Sequence, residues 1–347
     1  MELTTVWFIL IAVLWIGYFV LEGFDFGVGM LLPVVGKDEA ERRAIVTTLG
    51  PLWDGNEVWV LVAGGATFAA FPEWYATLFS GFYLPLFLIL VALIVRGVAF
   101  EYRSKRSDGS WRSRWDAAIF LGSAVPALLW GVAFANIVRG VPLVEMDGNV
   151  EYDGGFFNLL NPFALLGGLT FVAIFLTHGA VFLSLKTSGT IRDRAHQVGI
   201  RTGAVAAVLA VAFLLWAQLA YSDKTWTWIP VLLAAVAWVA ALLLHARRRE
   251  GWAFTSSALT IGLAVVALFG MLFPYVMPNI NGGDPSLTTT NASSTDYTLT
   301  IMTWVAVIFV PIVLGYQSWS YWVFRKRLSA QDIVDPEKGM LDEVPVG

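Results

Sequence analysis

Nine stretches of this chain are apolar over enough length to cross a lipid bilayer, and almost nothing is left over for a soluble domain. The hydrocarbon core of a bilayer is about 30 Å thick, which a helix crosses in about 20 residues. The candidates are residues 5–31, 52–71, 76–101, 115–138, 162–185, 200–221, 227–246, 252–277 and 297–324. Backbone polar groups find no water in lipid, so each span must close its own hydrogen bonds as a helix. The chain is 57% hydrophobic and 14% charged, where a soluble domain is about 45–50% apolar and about 25% charged. The sequence therefore predicts an all-α polytopic membrane protein with nine transmembrane helices. The first span is longer than the apolar part of a signal peptide, lacks a basic leader and has no small-residue cleavage site, so it is expected to stay as a helix.

Basic residues orient the spans. Lys37, Arg42 and Arg43 follow span one; Arg103, Lys105, Arg106, Arg112 and Arg114 follow span three. Lys186, Arg192 and Arg194 follow span five, Arg247 to Arg249 follow span seven, and Arg325 to Arg327 follow span nine. The intervening loops are poor in Lys and Arg, with Arg139 and Lys224 the exceptions, and the loop after span four carries Glu145, Asp147, Glu151 and Asp153. Positive loops stay cytoplasmic. The alternation fits an odd number of spans with the N-terminus outside and the C-terminus inside. Trp7, Trp74, Tyr75, Trp111, Trp115, Trp226, Trp228, Trp252, Trp319, Tyr321 and Trp322 crowd the span ends, where aromatic rings anchor helices at the lipid–water boundary. The polar run 281–296 reads as an outside loop.

Several titratable residues fall inside spans that have little reason to hold them. Glu22 and Asp25 lie three apart near the cytoplasmic end of span one, so they share a helix face. A carboxylate inside the hydrocarbon costs a few kcal/mol and normally faces protein or a hydrated cavity. Asp54 and Glu57 repeat the spacing at the start of span two, which runs antiparallel to span one. Helix capping would account for an acid in a first turn, and accounts less well for Glu57, where the helix has already turned apolar. Arg96 in span three either pairs with one of these acids or snorkels to the interface. Glu101 is expected at the interface. Such a cluster could carry protons inward from the cytoplasm. The chain has no cysteine and three histidines, His178, His196 and His245. Thiolate metal sites are excluded, and His178 reads as a hydrogen-bonded core residue rather than a heme ligand, which would need a second ligand at matching depth. No metal site is expected.

The segments "LEGFDFGVGMLLP" (21–33), "GPLWDGNEVWVLVAGGATFAAFP" (50–72), "GFYLPLFLILVALIVRGVAFEYR" (81–103) and "LTHGAVFLSLKT" (176–187) resemble subunit II of cytochrome bd quinol oxidase. The likeness runs along all nine spans and is strongest in the first hundred residues. It implies a single integral membrane domain over residues 1–347, with two four-helix bundles (about 5–138 and 162–277) and a peripheral helix (about 297–324). It further implies a multi-pass protein of a bacterial or archaeal plasma membrane, in an enzyme that oxidises quinol and reduces dioxygen to water. Hemes b and d and the quinol-oxidation loop would belong to a homologous partner, subunit I, while subunit II holds no heme and opens a cytoplasmic proton route through Asp25, Asp54 and Glu57. Glu22 and Glu101 would extend the route, with Arg96 and His178 as supporting charge and hydrogen bond. Small accessory subunits and a bound quinone are left open. The small-residue runs "AGGATF" (63–68) and "GGLTF" (167–171) are expected to pack closely against the partner. Two other readings compete. A proton-coupled secondary transporter would also use intramembrane acids and two comparable halves. A purely structural scaffold would support a redox partner without moving protons.

Overall fold

A computed structural model describes residues 2–282, 285–334 and 339. Helices α1 (Leu3–Val35), α2 (Glu39–Leu49), α3 (Trp53–Ala70), α4 (Pro72–Gly81), α5 (Tyr83–Tyr102) and α6 (Gly109–Arg139) make up the first half. Strands β1 (Leu143–Met146) and β2 (Asn149–Tyr152) and the short α7 (Gly155–Asn158) lead to α8 (Pro162–Lys186), α9 (Gly189–Ala220), α10 (Trp228–Ala246) and α11 (Glu250–Leu272). Strands β3 (Tyr275–Met277) and β4 (Leu287–Thr288) precede α12 (Asp296–Val323). Both strand pairs are antiparallel. Gly283 and Asp284 of the polar outer loop lie outside the described residues.

Eight helices among the described residues are long and apolar enough to cross a membrane: α1, α5, α6 and α8 to α12. The remaining expected span, 52–71, forms α3. It has 18 residues and opens on the polar turn Trp53-Asp54-Gly55-Asn56-Glu57, which keeps it out of that set. At about 1.5 Å per residue it is about 27 Å long, and its last turn reaches the end opposite to α2, where the Ala70 carbonyl accepts from the Ser294 backbone N–H. The expected third span, 76–101, is in fact two helices. Phe71 and Phe82 leave helical geometry on either side of α4, and Pro72, instead of closing α3, opens α4 as its first residue. The expected eighth span, 252–277, stops at Leu272, and residues 275–277 pair with β4 instead.

Helices α1, α6 and α8 meet in the middle of the molecule. Trp15, Phe19, Trp130, Phe134 and Phe171 interlock there, with edge-to-face ring pairs 4.8 to 5.1 Å apart. The backbones approach closely because the contact residues are glycines. A Cβ added at Gly27 would sit 1.9 Å from the Phe175 carbonyl and 2.8 Å from the Gly179 Cα. Gly131 of α6 meets Gly167 and Gly168 of α8 in the same way. The run 167–171, expected to face a partner, is thus spent inside the chain, whereas Gly65 in the run 63–68 has nothing within 4 Å. Two of the expected interfacial tryptophans are also interior: Trp7 and Trp74 are buried, and the Trp7 indole donates to the Leu299 carbonyl and to Thr303 Oγ1 on α12.

The basic segments converge on one end. Arg103 pairs with Glu39 at 2.8 Å, and Arg42 with Asp116 at 2.9 Å, tying α2 to the end of α5 and the start of α6. Arg192 donates to Glu250 at 2.9 Å, joining α9 to α11. Glu41 of α2 accepts from Arg194 at 2.8 Å and from Thr190 at 2.6 Å. Burial of Glu41 opposes its ionisation, but the bonds from Arg194, Thr190 and the Lys37 N–H outweigh it and hold the carboxyl down, at about 2.

Two expectations follow from this packing. Gly27→Leu should cut the yield of folded protein severely or cost at least 1–3 kcal/mol, roughly the penalty of overpacking a full interior, read by thermal unfolding in detergent. Because the Glu41 carboxyl is lowered from an ordinary value of about 4.3, its stabilisation is whole above that pH and disappears as pH falls toward 2. Glu41→Gln should therefore lower stability by about 2 kcal/mol at pH 7, the worth of charged hydrogen bonds, and the gap to the wild type should close as the pH is lowered from 4.

Candidate functional site

The polar stretch of α1, the first turns of α3 and the middle of α5 come together near the basic end. Glu22 and Asp25 project from α1 and are fully buried. Arg96 of α5, also at 0% exposure, pairs through Nη2 with Glu22 Oε1 and lies 3.5 Å from Glu57 Oε2. Its guanidinium sits over the Phe26 ring at 4.7 Å and the Phe100 ring at 5.8 Å. An unpaired charge in this setting would cost several kcal/mol, which explains why an arginine that could have snorkelled points inward to two acids.

Asp25 takes its hydrogen bond from α3. Asn56 Nδ2 donates to Asp25 Oδ2 at 2.7 Å. The Asn56 carbonyl accepts from Tyr321 Oη at 2.8 Å and from Gln317 Nε2 at 3.2 Å, both on α12, and the Trp59 indole donates to Gln317 Oε1 at 2.8 Å. Glu22 Oε2, Asp25 Oδ1, Glu57 Oε2, Arg96 Nε and Arg96 Nη1 are buried with no hydrogen-bond partner among the described residues. Buried polar atoms in native proteins are satisfied, so this cluster suits water or a mobile proton more than a sealed core.

Glu57 is the member that reaches outward. Its side chain keeps 21% of its exposure and, with Asp54, lines the polar end of a groove between α3 and α5 of about 730 Å³. The rest of the groove is apolar, from Leu61 and Phe68 to Phe87 and Leu90.

Of the residues expected at the site, Glu22, Asp25, Glu57 and Arg96 are brought together. Asp54 is exposed at the groove mouth, and its Oδ1 accepts from the N–H of Gly55 at 2.7 Å. Glu101 is exposed at the end of α5, apart from the cluster. His178 is buried on α8, with Nδ1 at 2.7 Å from Ser257 Oγ and Nε2 at 3.0 Å from the Val20 carbonyl, and stacks on Phe254. Both ring nitrogens are engaged and a ring covers its face, so it does not fit a heme axial position. His245 Nε2 lies 3.1 Å from the His196 carbonyl, and neither residue lines the groove. Among the described residues no three His, Asp or Glu side chains gather to hold a metal ion. Sequence reading missed Asn56, Trp59, Gln317 and Tyr321. The available signal was Gln317, the one amide side chain on α12.

The Arg96 pair makes a direct expectation. Arg96→Met should destabilise the protein by about 3–5 kcal/mol by stranding Glu22, whereas Arg96→Met with Glu22→Gln should regain most of the loss. Thermal unfolding of the two variants checks this; equal losses would contradict it.

A model of the family "Cytochrome bd terminal oxidase subunit II" matches residues 3–324. The chain is 40% identical over 338 residues to cytochrome bd ubiquinol oxidase subunit 2 of Bacillus subtilis, covering 95% of this chain and 98% of that one. It is 42% identical over 372 aligned positions to the probable cytochrome oxidase subunit 2 of Haemophilus influenzae, with 97% of each covered. With cytochrome bd-I ubiquinol oxidase subunit 2 of Escherichia coli K12 the identity is 39% over 362 positions, covering 94% and 96%. A chain in the structure of the bd oxidase from Geobacillus thermodenitrificans superposes with a TM-score of 0.77 at 18% identity, covering 93% of this chain and 99% of that one, which is a likeness of fold.

Proposed function

From the premise that this chain belongs to the cytochrome bd terminal oxidase subunit II family, we propose that it serves a membrane-bound quinol:dioxygen oxidoreductase as the subunit that admits protons. In this reading the hemes are carried by a partner, subunit I, and the electrons of quinol reach dioxygen there. The reading takes nine membrane crossings, α3 included, with the basic end in the cytoplasm, the N-terminus outside, and the plasma membrane as the site of the complex. It also takes α1 to α6 and α8 to α11 as two bundles, with α12 peripheral.

The observation that carries the proton role is the cluster of three acids around one guanidinium. Reduction of dioxygen to water consumes protons, and these must cross low-dielectric protein. One arginine offsets one carboxylate. With Glu22, Asp25 and Glu57 grouped about Arg96, electroneutrality is reached with two protons on the acids, and burial makes large departures from neutrality costly. The cluster can then take up one proton as it gives up another. Arg96 itself stays protonated and fixes where the acids sit. Asp54 would collect protons at the mouth. Glu57 would pass them outward into the groove between α3 and α5, which the heme partner would cover, since a carboxyl group is not left facing lipid.

The test is made on the purified complex. Glu57→Gln keeps size and an oxygen facing Arg96 and loses the titratable proton. Quinol-driven oxygen uptake should fall about tenfold, equivalent to about 1.4 kcal/mol of barrier, while the heme content read from the reduced-minus-oxidised spectrum stays at the wild-type level. Wild-type uptake by the variant would dismiss the proton role. A purified complex without hemes would dismiss the oxidase reading itself.

A further inference from the structure

We propose that Trp59, Gln317 and Tyr321 are positioning residues that force Asn56 to donate its amide N–H to Asp25, so that α12 sets how the buried acid of α1 is hydrogen-bonded. The inference rests on the proton role above and concerns residues to which that role gave no part.

The argument turns on which groups can only donate. An indole nitrogen carries one N–H and accepts nothing. The atom of Gln317 facing Trp59 must therefore be its oxygen, and the contact is 2.8 Å. That choice turns the Gln317 amide nitrogen toward Asn56, 3.2 Å away, and requires the Asn56 oxygen on that side. Tyr321 reinforces the same choice by giving its hydroxyl proton to the same oxygen at 2.8 Å. The Asn56 nitrogen is left with one direction, toward Asp25 Oδ2 at 2.7 Å. An amide can ordinarily flip between donor and acceptor toward a neighbour. Here a flip would set the Gln317 amide N–H against another N–H group and an amide oxygen against a carboxyl oxygen. The chain of bonds thus has one polarity, from the indole to the acid.

The groups facing Asp25 make this polarity consequential. Glu22 is on its own helix, Asn56 and Glu57 are on α3, Arg96 is on α5, and Tyr321 and Gln317 are on α12. Among the described residues Asn56 is the one neutral donor bonded to Asp25, and Asp25 Oδ1 has no partner. A carboxyl held by Oδ2 presents Oδ1 as the oxygen that takes and gives the proton. Freed from α12, Asn56 could present its oxygen instead, and a protonated Asp25 would then be locked by donating to it. A proton held in that way is not passed on.

The experiment uses the intact complex carrying Tyr321→Phe together with Gln317→Leu, alone and on an Asp25→Asn background. Oxygen uptake should fall about fivefold, the effect of losing one hydrogen bond of ordinary strength, at unchanged heme content. On the Asp25→Asn background the pair should cause no further loss. In redox-induced infrared difference spectra, the carboxyl band assigned to Asp25 by its disappearance in Asp25→Asn should shift in frequency, which a purely structural contact would not produce. If the double variant fails to assemble, Tyr321→Phe, which removes one oxygen atom, carries the same infrared comparison. An unshifted band, or an equal slowing with and without Asp25, overturns the positioning role. Wild-type uptake by Asp25→Asn itself would overturn the proton role of Asp25 and leave the infrared shift to judge the hydrogen-bond chain alone.

Discussion

A guanidinium with no access to water is the constraint around which the first half of the molecule is arranged. Arg96 sits among membrane-crossing helices, and each neighbouring helix answers it differently. Helix α1 brings Glu22 and the Phe26 face, α3 brings Glu57, and α6 must come close enough that a Cβ on Gly122 would lie 2.7 Å from the Arg96 Cβ. Lipid supplies no hydrophobic force between helices, so a buried charge and its partners can decide which helices meet. The same arrangement gives the cluster its chemistry. An arginine flanked by more acids than it can neutralise favours protons on those acids by charge balance.

The two ends of the molecule are held by different means. At the basic end the loops are short and the ties are mostly ionic: α2 is clasped between Arg103, just past the end of α5, and Arg194 on α9, and Lys186 donates to the Phe324 and Lys326 carbonyls where α12 finishes. Such pairs each contribute modestly when exposed, but here most carboxylates are buried among several donors. At the opposite end the ties run to backbone carbonyls. Val141 exchanges hydrogen bonds with Pro278 and Ile280, and Thr77 donates to the Val150 carbonyl. The cluster lies nearer the ionic end, where charged loops keep water close.

Legibility followed physical signal. Apolar length marks a crossing helix strongly, and eight of the expected helices meet that criterion. Helix α3 reads more weakly for a reason that is itself informative, since its first turn carries the acids and Asn56. Acids three apart in apolar sequence are conspicuous, so Glu22, Asp25 and Glu57 stand out. Asp54 stands out equally and lies outside the cluster, because in the first turn of a helix a side chain can turn to water. The break at Phe82 leaves no trace in hydropathy, because it lies within an apolar run, whereas the break at Phe71 coincides with the expected end of span two. Trp7 and Trp74 are at span ends by number and in the interior by packing, because neighbouring helices extend beyond them. Neutral amides and hydroxyls are common enough that Asn56 and Tyr321 carry no signal until the fold sets them side by side.

Helix α12 shows why such neutral contacts matter in lipid. Little of it is buried, 6% of its most apolar window, so packing alone gives it a weak hold. Its attachments are polar: Leu299 and Thr303 receive the Trp7 indole, Gln317 receives the Trp59 indole, and Tyr321 donates to Asn56. At 100° per residue these four positions fall within about 40° of one another around the helix. One narrow stripe therefore bears these four attachments, while Trp304, Phe309, Ile312 and Tyr316 point outward. An indole in lipid seeks an acceptor because no water offers one, and α12 supplies acceptors at two depths. The lower of the two couples to the buried acid of α1 through a single asparagine. A helix at the rim of the fold is thereby joined, through two hydrogen bonds, to the buried Asp25 of α1.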